Sequence, residues 1–293
     1  MAGEPLPTST PPSGRTSREP SRARATAVAS RYARYARLLR TQIRASLLLG
    51  LQYRADFVLD ATVNVFWTGA AILPLVIVFQ SRASIAGWSF GEALMVTGWF
   101  TFLEGVLDGA INPSVADVVD HVRKGTLDFV LLKPADAQFL VSTTRLQPWR
   151  ATNVLSAVAI FAWGFHLLGR APTPGAVGLA TLSMLAAVAV LYSLKTLAVS
   201  AAFYFVRVDN LTHLFDSVFD AARWPSNIFR GVVSVVFTFV IPLALMTTYP
   251  AEALLGSLPI RSLFGALGGA VVALTLSRAV WNRAIAHYTS AGG

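Results

Sequence analysis

The sequence predicts an all-α membrane protein with six transmembrane helices, a cytoplasmic amphipathic helix at the N-terminus and a second cytoplasmic helix between the second and third spans. Three observations predict it. Charged residues make up 13% of the 293 positions, AVILMFWYC make up 54%, and mean hydropathy is +0.57. A soluble fold of this length has too much surface to cover with so few charges. Six apolar stretches each approach the ~20 residues a helix needs to cross a hydrocarbon core of ~30 Å. Finally, Lys and Arg alternate between rich and poor connections along the whole chain.

The net charge is +9, from 24 Lys+Arg against 15 Asp+Glu. The basic residues sit at the edges of apolar stretches, which points to an anionic membrane surface and not to nucleic acid. Cysteine is absent, so disulfides, thiol nucleophiles and thiolate metal sites are excluded.

Residues 1–29 hold Pro5, Pro7, Pro11, Pro12 and Pro20 among many Ser, Thr and Arg, and read as a disordered cytoplasmic tail. No apolar core of a secretory signal follows in the first thirty residues. Residues 30–54 read as an amphipathic interfacial helix. Arg31, Arg34, Arg37, Arg40 and Arg44 recur along one face, and Tyr35, Leu39, Ile43 and Leu47 along another. Residues 55–293 then form the six-helix membrane domain, with spans at about 57–80, 91–110, 151–169, 176–205, 228–249 and 261–281.

Orientation follows from the loops. Ten Lys/Arg precede the first span, and five (Arg123, Lys124, Lys133, Arg145, Arg150) lie within 111–150. Arg207, Arg223 and Arg230 lie within 206–230, whereas the alternate connections hold only Arg82, Arg170 and Arg261. The positive-inside rule therefore places both termini in the cytoplasm and makes the span number even.

The 111–150 connection carries the clearest local pattern. Pro113 and Ser114 can open a helix, and Val115, Val118, Val119 and Val122 then form an i, i+3, i+4, i+7 stripe. Arg123 and Lys124 suit the negative helix end, and Gly125 is placed to terminate it. An apolar face of this kind needs a partner: lipid, the protein's own bundle, or a groove on another protein.

Charges inside spans cost about 2.5–3.5 kcal/mol near the bilayer centre. Glu104 and Asp108 share one face of the second span, and Lys195 lies at similar depth in the fourth, so a Lys195 pair with Glu104 or Asp108 is expected, fixing register or serving passage. Asp60, at the start of the first span, can reach the interface beside Arg54. Gly265 and Gly269 in the sixth span have GxxxG spacing, for packing within the chain or contact between subunits. Residues 250–259 read as a short outer helix or re-entrant turn. His121, His166, His213 and His287 show no metal-ligand spacing, and no metal site is expected. No clustered nucleophile and base suggests a catalytic site, and no GxxxxGK[ST] phosphate loop occurs.

The run Gly125-Thr126-Leu127-Asp128-Phe129-Val130-Leu131-Leu132-Lys133-Pro134 closely resembles a signature of ABC type-2 membrane subunits, in particular a family of six-span permeases. The resemblance continues at Arg223-Trp224-Pro225, Phe239-Val240-Ile241-Pro242, Tyr249-Pro250-Ala251 and Tyr288-Thr289-Ser290-Ala291-Gly292, and covers about residues 30–293. It implies export of a substrate across a bacterial-type plasma membrane, powered by a separate pair of ABC ATPase subunits. ATP and Mg are then expected on those partners, and no cofactor on this chain. It also implies a second permease subunit, either a copy or a related chain. A coupling helix between the second and third spans contacts the ATPase, which assigns Val115, Val118, Val119 and Val122, with Gly125 and Asp128, to that role. The outer feature at 250–259 corresponds by resemblance to a gate. The competing class is an ion-coupled secondary transporter, which calls for an inverted repeat with paired broken helices. No clear internal repeat is visible.

Overall fold

The computed structural model describes residues 19–52, 54–201, 203–204, 219–224 and 244–288, and the chain divides into two compact units, 1–41 and 42–293. Among the described residues the structure is helical, without strands.

Helix α1 runs Glu19–Gln52, so the segment 19–29 is helical where the sequence suggested a disordered tail. Pro20 falls in the first turn, where its missing N–H costs no hydrogen bond, and the following Arg and Ala residues are strong helix formers. Residues 1–18 lie outside the described set. Arg34, Arg37, Arg40 and Arg44 are exposed, as are Ile43 and Leu47 on the apolar stripe.

Helix α2 (Arg54–Ser81) contains Pro74, and α3 (Phe90–Val106) follows a tight turn in which Ala86 and Gly87 take positive φ. Ser89 caps α3. Its backbone N–H donates to Glu92 Oε2 at 2.9 Å, and the Glu92 amide donates back to Ser89 Oγ at 3.4 Å, a capping box that satisfies two terminal donors.

Beyond α3 the structure departs from the expected loop. A π-helical turn, Leu107–Ile111, leads directly into α4 (Asn112–Arg123), making one continuous helix of 34 residues from Phe90 to Arg123. The stripe helix is therefore an extension of the second span and not a separate element. Pro113 does not break it, because the Gly109 carbonyl that Pro113 cannot serve accepts the Gln147 amide at 2.7 Å. Gly125 ends α4 as the sequence predicts. It has φ 63°, the Thr126 amide donates to the His121 carbonyl at 3.0 Å, and the Gly125 amide donates to the Val122 carbonyl at 3.3 Å.

Helices α5 (Asp128–Leu131) and α6 (Ala137–Thr143) follow, α6 being capped by Asp136, which accepts from the Phe139 amide at 3.0 Å. After a 3-10 turn, Pro148–Arg150, come α7 (Ala151–Leu168) and α8 (Pro174–Ala201). The described chain resumes with a 3-10 turn Asp220–Arg223 and a π-turn Ala244–Thr248, then α9 (Tyr249–Leu255) and α10 (Ile260–Ala286). Five helices among the described residues are long and apolar enough to span a membrane: Val58–Ser81, Phe90–Arg123, Pro148–Leu168, Pro174–Ala201 and Ile260–Ala286. The expected span at about 228–249 falls mostly outside the described residues. The short helix expected within 250–259 is α9.

Helix α3 packs along α7, and glycines make the approach possible. A Cβ on Gly98 would sit 2.5 Å from the Phe161 ring, and one on Gly105 would sit 2.7 Å from Asn153 Cβ. Helix α10 lies along α8 through Leu263, Ala266, Ala270, Ser277, Trp281 and Ala284. This phase turns Gly265 and Gly269 outward, where both are exposed and an added Cβ meets nothing within 4 Å. Among the described residues they meet no packing partner, since GxxxG spacing marks a face of the helix without saying which way that face points.

Candidate functional site

Two regions concentrate the chemistry. The first is an open cavity of ≈ 540 Å³ between α2, α3, the start of α7 and the 220–223 turn. Its α2 wall runs from Asp60 to Leu75, about 22 Å of helix at 1.5 Å per residue, most of a ~30 Å hydrocarbon core. Asp60, Glu104, Arg150 and Arg223 all line it, with Trp67, Phe100 and Trp224 as aromatic walls.

The arginines answer the acidic face of α3. Arg150 Nη1 lies 3.4 Å from Asp108 Oδ2, and the Asn112 side-chain amide also donates to Asp108 at 2.9 Å. Arg223 Nη2 contacts Asp220 Oδ1 at 3.2 Å, and its guanidinium sits 4.8 Å over the Phe100 ring. The charges acting on Glu104 are those of Arg223, Asp108, Asp220 and Arg150. Among the described residues the expected pairing with Lys195 is not seen: Lys195 is 4% exposed on α8, Asp108 pairs with Arg150, and the charges acting on Glu104 are those just named. Equal depth does not make neighbours, because α3 packs on α7 while α8 packs on α10. Neither Arg150 nor Arg223 was singled out within the membrane by the sequence, since loop arginines read as orientation markers.

Asp60 also lines a second cavity of ≈ 770 Å³, together with Leu49, Gly50, Pro113, Arg145 and Trp149. The two cavities therefore meet at one carboxylate. Asn64 on α2 donates to Asn153 on α7 beside the first cavity, a hydrogen bond between two spans.

The second region is the end of the bundle formed by α4–α6. Val118 and Val119 are 3% and 7% exposed, packed with Leu127, Val130, Leu140, Val141, Val199 and Trp281. Val115 and Val122 pack against the same cluster. The valine stripe is therefore covered by the protein's own bundle, and is not presented as a docking face. What this end does present is Phe129 at 70% and Leu132 at 81% exposure, three residues apart around α5, with exposed Arg123, Lys124 and Lys133. Asp128 is half-buried at the start of α5.

A polar cluster ties this end to α8 and α10. Arg278 Nη1 donates to Asp136 Oδ1 at 3.0 Å and to Gln138 Oε1 at 2.7 Å, and Nη2 pairs with Asp136 Oδ2. Gln138 Nε2 donates to Tyr192 OH at 2.9 Å, and Ser142 Oγ lies 2.7 Å from the same oxygen. Burial pushes the Asp136 carboxyl up, but the Arg278 hydrogen bonds, the Phe139 amide and the Arg278 charge outweigh it and hold it below the usual range. A depressed carboxylate stabilises the fold above its unfolded pKa, about 3.9, and that contribution is lost as pH falls through the lower folded value. Asp136→Asn is expected to speed hydrogen exchange at the α6 amides several-fold at pH 7 and leave α3 amides unchanged. In the parent chain α6 protection is expected to fall only below about pH 4. Equal α6 exchange in parent and variant at pH 7 contradicts this role for Asp136.

Apolar helices long enough to span a membrane, a charged cavity along them, and an apolar tip ringed by basic residues define a polytopic integral membrane protein of the permease class. Residues 65–292 match the family described as ABC-2 family transporter protein, and the chain belongs to that family. The resemblance carried by the Gly125–Pro134 run is thereby borne out. No curated protein and no solved structure matches the chain.

Proposed function

We propose that this chain is the membrane-spanning permease subunit of an ABC exporter, moving its substrate with ATP hydrolysed on a separate pair of ATPase subunits. In this reading ATP and Mg are held by those partners, both termini are cytoplasmic, and the segment 228–249 supplies a sixth span. A second permease subunit, a copy or a related chain, completes the pathway, and the outward Gly265/Gly269 face of α10 is one surface on which it can seat.

The observation that carries the reading is the tip of α5. Exposing Phe129 and Leu132 to water costs roughly 1.5–3 kcal/mol each relative to burial, which favours an apolar pocket on a partner. The surrounding Arg123, Lys124 and Lys133 call for an acidic rim around that pocket. Gly125 aims the tip by ending α4, and the buried valines hold it rigid. Because α4 continues α3 through the π-turn, displacement of the tip moves the helix that carries Glu104 and Asp108. ATPase closure thus shifts the population of cavity conformations without any intervening loop.

The test is a photoreactive phenylalanine analogue at position 132, with position 118 as the buried control. Cross-linking from 132 to a polypeptide with an ATPase phosphate loop, and none from 118, is the expected result. Cross-linking from 118 alone restores the valine stripe as the contact. No ATPase from either position, in membranes where other ABC assemblies cross-link, favours the ion-coupled transporter.

A further inference from the structure

We infer that the cavity between α2 and α3 binds an amphiphilic organic cation. The inference rests on the permease reading above and names the substrate class for it.

Charge decides the sign of the ligand. Asp60 and Glu104 line the cavity, and Asp108 and Asp220 stand directly behind it, against the two cations Arg150 and Arg223. Among the described residues, four carboxylates against two guanidiniums leave the region net acidic by two charges when all are ionised. Each arginine is already engaged, Arg150 by Asp108 and Arg223 by Asp220 and the Phe100 face. Among the described residues no donor occupies the Glu104 carboxylate, although it lies at membrane depth. An incoming anion would have to displace Asp108 or Asp220 and would then meet Glu104. An incoming cation meets an unoccupied carboxylate.

The uncharged lining agrees. Thr97 and Thr101 spend their hydroxyl protons on the carbonyls of Ala93 and Thr97, at 3.2 and 3.0 Å, and so turn only lone pairs to the cavity. Pro74 has no N–H, so the Ala70 carbonyl lacks its helical donor, and both residues line the cavity. Within a membrane such a carbonyl is tolerated where it faces a polar cavity. Trp67 and Trp224 add ring faces that attract organic cations. Arg150 Nε and Arg223 Nε are buried and so offer the cavity no donor for an anion. The ≈ 540 Å³ volume lies inside the range of roughly 300–1,000 Å³ in which small-molecule sites fall.

The experiment uses the full chain in lipid nanodiscs, with and without its ATPase, and two fluorescent probes: rhodamine 6G as the cationic amphiphile and 8-anilinonaphthalene-1-sulfonate as the anionic one. Rhodamine 6G is expected to bind saturably, with Glu104→Gln weakening it about tenfold or more, Glu104→Asp retaining most of the affinity, and the lipid-facing Val272→Leu changing nothing. A second readout does not depend on that variant folding. The chain has no native cysteine, so Thr68→Cys in the lining is a unique thiol, and a trimethylammonium thiosulfonate should label it at least several-fold faster than the sulfonate analogue. Tighter binding of the anionic probe, faster labelling by the anionic reagent, or unchanged rhodamine affinity in a folded Glu104→Gln chain overturns the inference. If the ATPase associates and hydrolyses ATP while rhodamine fails to bind, the substrate class is wrong and the permease reading stands. If rhodamine binds through Glu104 but no ATPase associates, the site stands and the permease reading fails.

Discussion

Phe129→Asp/Leu132→Asp is expected to detach the partner ATPase and leave the membrane domain folded. Both side chains are exposed in the free chain, so replacing them removes little packing within the protein. Their burial on a partner is worth about 3–6 kcal/mol together, or two to four orders of magnitude in Kd at 1.4 kcal/mol per tenfold. The two new carboxylates would additionally oppose the acidic rim proposed for the partner opposite Arg123, Lys124 and Lys133. The comparison is Val118→Asp/Val119→Asp. There the new charges fall among Leu127, Leu140, Val199 and Trp281, and burying an unpaired carboxylate costs several kcal/mol. That variant should lose α4–α6 structure before it loses a contact. Titrating purified ATPase against each variant, alongside thermal unfolding, separates the two. Full ATPase affinity in a folded Phe129→Asp/Leu132→Asp chain contradicts the assignment of the tip.

Gly105→Leu is expected to separate α3 from α7 and to abolish the folded membrane domain. Even a methyl at this position would lie 2.7 Å from Asn153 Cβ and 3.3 Å from the Arg150 carbonyl, and the second of these is backbone that cannot rotate away. Overpacking typically costs about 1–3 kcal/mol, and here it also pushes Arg150 off Asp108 at the cavity wall. Gly98→Leu meets the Phe161 ring, which can turn, and should cost less. Gly265→Ala and Gly269→Ala face open space and should change stability by no more than about 0.5 kcal/mol in the isolated chain. Thermal unfolding in one detergent ranks all four, and a loss at Gly265 as large as at Gly105 contradicts the observed phase of α10.

The sequence was most legible where the signal is local. Apolar runs located the described spans, Gly125 ended α4 through its own left-handed φ, and the Gly125–Pro134 run pointed to the family. What failed was decided by partners remote in sequence. Pro113 looked like a helix boundary because its missing N–H orphans a carbonyl, and only the fold shows that Gln147 serves that carbonyl. The valine periodicity defined a face without saying what covers it, and the cover comes in part from Val199 and Trp281. Lys195 shares a depth with Glu104, but depth leaves the rotation of each helix undetermined. Gly91, Gly98 and Gly105 recur every seven residues along the second span, a pattern legible in the sequence that marks the face packed on α7. Arg278 carries no local signal of its partner, which lies 142 positions away in the N-cap Asp136.

In the proposed mechanism, ATP hydrolysed on a separate chain moves the α3–α4 rod and thereby opens the α2–α3 cavity to alternate sides of the membrane. The most direct measurement labels Thr68→Cys with an impermeant thiol reagent applied to one face of reconstituted vesicles containing the permease and its ATPase. Labelling is expected from the ATPase side without nucleotide, and from the opposite side once ATP and vanadate trap the closed ATPase. Identical accessibility in the two states, with the ATPase bound and active, contradicts it.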